Sequence, residues 1–255
     1  MRKIQLAVLI CFLGIPTWSD LSPVSIESPD GRIAVKVEVK DSGETKGCLY
    51  YSVSYDGKEL VELSRLGLAL EGDDDLDSGL QIVDVFRTKW DREYSPVYGE
   101  RQVTPDCGKE MTIEIDQERE EHRRLYVQFR AYNEGVAFRY LLPEQAGMEA
   151  STISSERTEF SFSKGDEGYE EHGTEGVIHR VPIREIKPKC EMPLTVDCEK
   201  GPFVSVVEAH LENYPRAWLS PAGENTDSVR IHLGSSADVR MPFETPWRVL
   251  LIAKR

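Results

Sequence analysis

"RRLYVQFRAYNEGVAFRYLL", residues Arg123 to Leu142, decides the fold class. Apolar and polar residues alternate as far as Asn133-Glu134-Gly135, and a second apolar-rich run follows. Successive side chains of a strand point to opposite faces, so such alternation marks a half-buried strand. A short break containing Asn and Gly between two such runs marks a hairpin. The pattern extends outward in both directions. "RIAVKVEVK" alternates from Ile33 to Val39, and "LYYSVSYDGKELV" is two runs joined at Asp56-Gly57, a strong hairpin signal. "LQIVDVFRTKW", "EMTIEID", "TEFSFS", "FVSVVEA", "SVRIHL" and "RVLLIA" read as further strands. Helical periodicity is nearly absent; the best candidate is a turn or two from about Ala209 to Asn213, before Pro215. Roughly a dozen strands at this spacing predict an all-β domain, a large sandwich of antiparallel sheets with at most short helices.

The first residues do not share this pattern. "MRKIQLAVLICFLGIPTWSD" has Arg2 and Lys3, an apolar run from Ile4 to Ile15, then Pro16 and small residues. That is the three-part layout of a secretory signal peptide, residues 1–19, with a cut expected after Ser19. The run is shorter than the ~20 residues a membrane helix needs. The expected mature protein is one domain, residues 20–255, exported to the periplasm or the medium, with no membrane span after cleavage. Losing Arg2 and Lys3 takes the formal net charge from −14 to −16. Such a surface repels phosphate backbones, which argues against nucleic acid as a partner. Neutral sugars or cations fit it better. Cys48, Cys107, Cys190 and Cys198 remain in the mature chain. Cys190 and Cys198 are close enough in sequence to be expected to bridge in an oxidising compartment.

Motifs for catalysis are missing. There is no Gly-x-Ser-x-Gly elbow, no His-Glu-x-x-His and no phosphate loop. The acidic loop "EGDDDLDSG", Glu71 to Gly79, lacks the glycine at its sixth place and the closing glutamate of a calcium loop. The five histidines are scattered, and no spacing marks two carboxylates as facing each other across a sugar. One polar position stands out. In "VVEAHLENYPRAWL", Val206 to Leu219, Glu208 sits where a strand runs out, just before Tyr214-Pro215. A carboxylate there is either a solvated strand end or a group aimed from the rim of a sheet.

Seven segments carry a more specific message. "SPDGRIAVKVEV", "YYSVSYDGKELVELSRLGLAL", "PVYGER", "VQFRAYNEGVAFRY", "MPLTV", "VVEAHLENYP" and "FETPWRVLLIA" occur in this order. Together they resemble the N-terminal domain of glycoside hydrolase family 97, from Ser28 to Ala253. The resemblance implies a β-supersandwich similar to the galactose mutarotase fold. In the family this sandwich precedes a (β/α)₈ barrel and a small C-terminal β domain in exported α-glucosidases and α-galactosidases. The catalytic groups of the family lie in the barrel, so none is expected in this chain.

The resemblance also implies site residues. The family's glutamate in the motif matched by "EAHLENYP" reaches into the barrel's active site and helps to bind calcium; that role falls on Glu208. A substrate-contacting stretch falls near Arg230 to His232. Many members have Gly after the motif's proline, where this chain has Arg216-Ala217. The implied ligands are an oligosaccharide or α-glycoside, with calcium only in a complete, barrel-containing enzyme. A separately encoded barrel is an implied partner. Trp218 and Trp247 are expected near an apolar face that a barrel would cover. Glu208 is expected to be exposed at the rim of the sandwich. A free-standing, non-catalytic carbohydrate-binding or scaffold protein is the other reading. A sugar mutarotase is a third, but no spacing supplies its glutamate base and histidine partners.

Overall fold

The computed structural model describes residues 21–72, 75–98, 102–119, 122–199 and 201–254. The expected signal peptide, Asp73-Asp74 of the acidic loop and the end of "PVYGER" lie outside the described residues. The strands in chain order begin with β1 (Val24–Glu27), β2 (Ile33–Ser42), β3 (Thr45–Tyr55), β4 (Lys58–Leu66) and β5 (Leu68–Leu70). Next come β6 (Leu80–Tyr94), β7 (Thr104–Gln117), β8 (Arg123–Tyr132), β9 (Gly135–Leu142) and β10 (Ala150–Glu156). Then follow β11 (Glu159–Ser161), β12 (Glu167–Glu170), β13 (His179–Pro182), β14 (Leu194–Asp197) and β15 (Phe203–Ala209). The last are β16 (Ala217–Pro221), β17 (Ser228–Leu233), β18 (Ala237–Arg240), β19 (Phe243–Glu244) and β20 (Trp247–Ala253).

Three antiparallel sheets result. The first has the order β1-β2-β3-β4-β11-β17-β16. The second has the order β13-β12-β14-β15-β20-β9-β8-β7-β6, with β19 also pairing β9. A small third sheet, β18-β10-β5, sits beside them. The expected all-β sandwich of antiparallel sheets is therefore what forms. Both hairpins read from the sequence close where expected. Asp56 and Gly57 take φ of 49° and 75° between β3 and β4, the left-handed pair of a tight hairpin turn. Tyr132 pairs with Gly135, leaving Asn133 and Glu134 as the turn between β8 and β9.

Alternation builds the core. Leu125, Val127, Phe129 and Ala131 of β8 point inward, as do Leu250 and Ile252 of β20. Rings from both large sheets meet there: Tyr51 of β3 lies 5.0 Å from Phe138 of β9, Phe138 lies 5.2 Å from Phe129, and Phe160 of β11 lies 6.2 Å from Phe138. Tyr51 keeps its hydroxyl satisfied by donating to the Glu159 carbonyl at 2.9 Å.

Two expectations are corrected. Residues Ala209 to Asn213 are not helical: Ala209 ends β15, and His210 and Asn213 take left-handed φ of 60° and 52°. Left-handed residues three apart cannot share a right-handed turn. The helical structure among the described residues is a single 3-10 turn, Ile183–Glu185. Among the described residues, Cys48, Cys107, Cys190 and Cys198 form no disulfide. Cys190 bridges Leu219 at the edge of the first sheet, whereas Cys198 follows β14 in the second. The four extended residues of β14 span about 13 Å, and a disulfide requires its two Cα atoms within about 7 Å. Burial pushes the Cys190 thiol up to about 11.

Candidate functional site

Glu208 lies on the inward-facing side of β15, in phase with Val204 and Val206. Its cross-strand partner on β20 is Arg248. Arg248 itself continues the inward row of Leu250 and Ile252, so a guanidinium fills a slot that the pattern reserves for an apolar side chain. Its side chain is 1 % exposed. A charge so placed must be met by partners, because desolvation of an isolated ion costs several kcal/mol.

The partners are two carboxylates. Arg248 donates from Nη2 to Glu156 Oε1 at 2.5 Å and from Nε to Glu156 Oε2 at 3.2 Å. It donates from Nη1 to Glu208 Oε2. Glu156, at the end of β10, has a side-chain exposure of 0 %, and Glu208 of 12 %. Burial alone would lower the Arg248 pKa; Glu156 first, and then Glu208, outweigh it and hold the guanidinium protonated. Glu208 is therefore not the exposed rim residue expected. The cross-strand register carries it inward, against a buried cation.

A relay of hydroxyls locks Glu156. Thr158 donates to Glu156 Oε2 at 3.0 Å, and Thr158 Oγ1 lies 2.8 Å from Tyr140 Oη. A carboxylate only accepts, so the Thr158 proton goes to Glu156 and the Tyr140 proton to Thr158. The Gly67 N–H completes the chain by donating to Tyr140 Oη at 3.0 Å. Chains aligned in one direction polarise each other favourably.

Tyr214 closes the other side. It is 8 % exposed and its ring stacks on Phe243 at 5.9 Å. Its hydroxyl is buried with no hydrogen-bond partner among the described residues. Burial, then the Glu156 charge, raises the phenol pKa above its ordinary value.

The cluster has two negative charges for one positive. Glu208 Oε2 is taken by Arg248, while Oε1 has no hydrogen-bond partner among the described residues. Calcium takes about 6–8 oxygen ligands. No three His, Cys, Asp or Glu side chains among the described residues are grouped to hold a metal. The donor chemistry of Glu208 thus fits one arm of a hard-cation site, and the rest of such a site has to come from elsewhere. Asp75 and Asp77 of the acidic loop are committed to Arg157 and Arg65.

The other candidates stand apart from Glu208. Arg230 and His232 share the outward face of β17 in the first sheet. Arg230 is exposed, opposite Glu159 and Ser220. His232 Nδ1 lies 3.3 Å from Ser220 Oγ, and its ring meets the edge of Trp218 at 6.4 Å. Trp218 donates to Glu191 at 3.1 Å and lies under Arg216. Trp247 is on the other sheet, so the two tryptophans do not form one patch.

The outward face of the second sheet carries a cluster of aromatic rings among paired charges. Arg139 and Arg130 lie over Trp247 at 4.4 and 4.5 Å, and Tyr132 meets Trp90 edge-on at 5.7 Å. A depression of about 350 Å³ is lined by Ala137, Ala209, Trp247, Val249 and Leu251. Ala209 follows Glu208 directly, so this depression opens beside the end of the strand that carries the carboxylate.

Sequence reasoning missed Arg248 and Glu156. Arg248 had a signal: it is in phase with Leu250 and Ile252. Glu156 had none, since the register of β10 shifts at a bulge between Ile153 and Ser155.

The comparisons with known proteins agree with this architecture. Residues 26–255 match the family model described as glycosyl-hydrolase 97 N-terminal. A retaining α-galactosidase of Bacteroides thetaiotaomicron is 21 % identical over 292 residues, covering 99 % of this chain and 42 % of that protein. A glycoside hydrolase family 97 enzyme of Pseudoalteromonas sp. strain K8, solved in complex with acarbose, superposes with a TM-score of 0.81 at 25 % identity. That match covers 91 % of this chain and 36 % of the enzyme. A variant of the same enzyme, solved with panose, gives 0.80 at 25 % identity with the same coverage. A β-arabinopyranosidase structure gives 0.76 at 24 % identity, covering 90 % of this chain and 40 % of that one. The chain thus spans about two-fifths of the length of the relatives it matches.

Proposed function

The chain belongs to the glycosyl-hydrolase 97 N-terminal family, and from that premise we propose that it is the sandwich portion of an exported, calcium-dependent α-glycosidase. Its task is to present Glu208 to an active site whose catalytic groups lie in a barrel, either in the same protein or encoded separately. The substrate class is an α-linked oligosaccharide or glycoside. The single observation that carries this reading is the placing of Glu208. It is a carboxylate at a strand end, fixed by a buried arginine, with one oxygen uncommitted and too few neighbouring ligands to be a site alone.

Two features support the arrangement. The depression around Trp247 and Leu251 lies next to Ala209, so a body docked there would sit beside the strand end that carries Glu208 on its other face. Acarbose and panose in the solved relatives are α-linked saccharides of the proposed class. Arg230 and His232 remain substrate contacts in this proposal, on a second surface carrying Trp218.

The test is hydrolysis by the chain itself. Purified residues 20–255 should release no nitrophenol from nitrophenyl α-glucoside or α-galactoside, with or without calcium. Release that a point substitution in this chain abolishes would refute the assignment of catalysis to a barrel.

A further inference from the structure

We propose that Arg248 is a positioning residue: with Glu156 as its fixed counter-ion, it aims the Glu208 carboxylate out of the sheet end toward a bound cation. This rests on the reading of Glu208 as a cation ligand, and it adds which residues make that ligand competent.

Geometry carries the argument. A glutamate side chain has several rotatable bonds, and a strand-end position by itself leaves them free. Here one oxygen is fixed by Arg248 Nη1, which leaves Oε1 as the outward atom. Arg248 in turn has no freedom to follow Glu208. Its Nε and Nη2 are both held by Glu156, at 3.2 and 2.5 Å, and its side chain is 1 % exposed. Glu156 is held by Thr158, which is backed by Tyr140 and the Gly67 amide. The anchoring therefore runs from the backbone of the loop before β5 to the tip of β15. Two sheets and two linkers contribute to it: Glu156 comes from the third sheet and Tyr140, Glu208 and Arg248 from the second, while Thr158 lies between β10 and β11 and Gly67 between β4 and β5.

Charge alone would not call for this construction. A lysine at position 248 would neutralise equally well but would act as a single point, without the planar fork that holds both carboxylates at once. Residues that orient a metal ligand typically alter affinity by about 10–100-fold when changed, without touching the metal. Simple neutralisation makes the opposite prediction: removing the positive charge beside Glu208 should strengthen cation binding.

The experiment is a terbium titration of the purified chain, read by luminescence sensitised through nearby aromatic rings. Terbium serves as a hard, oxygen-seeking probe. Glu208→Gln should abolish the saturable signal. Arg248→Lys, which keeps the charge and loses the fork, should weaken binding by about tenfold. Glu156→Gln should weaken it too, although Glu156 does not face the probe. Should Glu208→Gln abolish binding while Arg248→Lys leaves it unchanged and Arg248→Met tightens it, Arg248 acts as a charge only and the inference is overturned, with the reading of Glu208 intact. Should Glu208→Gln leave the titration unchanged, the reading of Glu208 itself fails.

One readout needs no variant to fold. In the wild-type chain, nitrogen-15 spectra should show the Arg248 guanidinium with separate, slowly exchanging Nη protons. A single averaged signal would mean a freely rotating group and would contradict the positioning role.

Discussion

At the scale of single residues, the chemistry of the domain is concentrated in three charged side chains. Glu156 and Arg248 are buried completely, whereas Glu208 is only partly buried, with 12 % of its side chain exposed. Their charges do not balance, and this sets an order for substitutions. Removing Arg248 leaves two carboxylates without a cation in a dry setting, so Arg248→Ala should cost about 3–5 kcal/mol. Glu156→Ala should cost about as much, because it leaves the guanidinium with one partner and removes the hydroxyl relay's acceptor. Glu208→Gln retains the Arg248–Glu156 pair and cancels the surplus charge, so its cost should stay under about 1 kcal/mol. Urea unfolding of the three variants tests this order; a Glu208→Gln loss equal to the other two would show that the carboxylate is a structural group. Glu208 stands out in the sequence only as a candidate, through the family motif it resembles. Its burial was not legible, since which face β15 turns inward at its end depends on pairing with a distant strand. Arg248 was half legible: its phase with Leu250 and Ile252 marks a buried arginine, but nothing local names the partner.

At the scale of strands and turns, alternation told the truth nearly everywhere it was clear. The Asp56-Gly57 and Asn133-Glu134 hairpins could be read because their chemistry is local: the residues at the turn have the conformational freedom it needs. The segment after Ala209 misled for a related reason. Polar and apolar residues there resemble a short helix, but His210 and Asn213 are held in left-handed conformations by a loop that joins different sheets. Close packing across a hairpin is also invisible in sequence. Trp90 of β6 lies flat on Gly108 of β7, where a Cβ would stand 2.4 Å from the ring. Trp90 also donates from Nε1 to Asp106 at 2.7 Å. Gly108→Ala must lift the ring, break that bond and disturb the Arg130 contact with Trp90, for a cost of about 1–3 kcal/mol. Chemical denaturation with tryptophan fluorescence measures both effects. An unshifted midpoint with unchanged emission would mean that the ring makes room at no cost.

For the whole molecule, the two broad faces differ in a way that bears on function. The outward face of the first sheet carries Trp218 among Arg216, Lys189, Glu191 and His232. The outward face of the second carries Trp247, Val249 and Leu251, with Leu251 49 % exposed. We expect this apolar surface to favour weak self-association. Sedimentation should show the chain associating as its concentration rises, and Leu251→Lys should suppress that; a wild-type chain that stays monomeric throughout would contradict it. The all-β architecture could be read from the sequence because it follows from repeated local alternation. The meeting of Glu156 from one sheet with Arg248 and Glu208 from another could not, because it is a property of topology. In the proposed function, Glu208 is one arm of a cation site and not a complete one. Calorimetric titration of calcium into the wild-type chain and its Glu208→Gln variant tests this most directly. Weak binding is expected, on the order of millimolar, and it should disappear with the carboxylate; micromolar binding, or binding that survives Glu208→Gln, would mean a complete site or one that does not use Glu208.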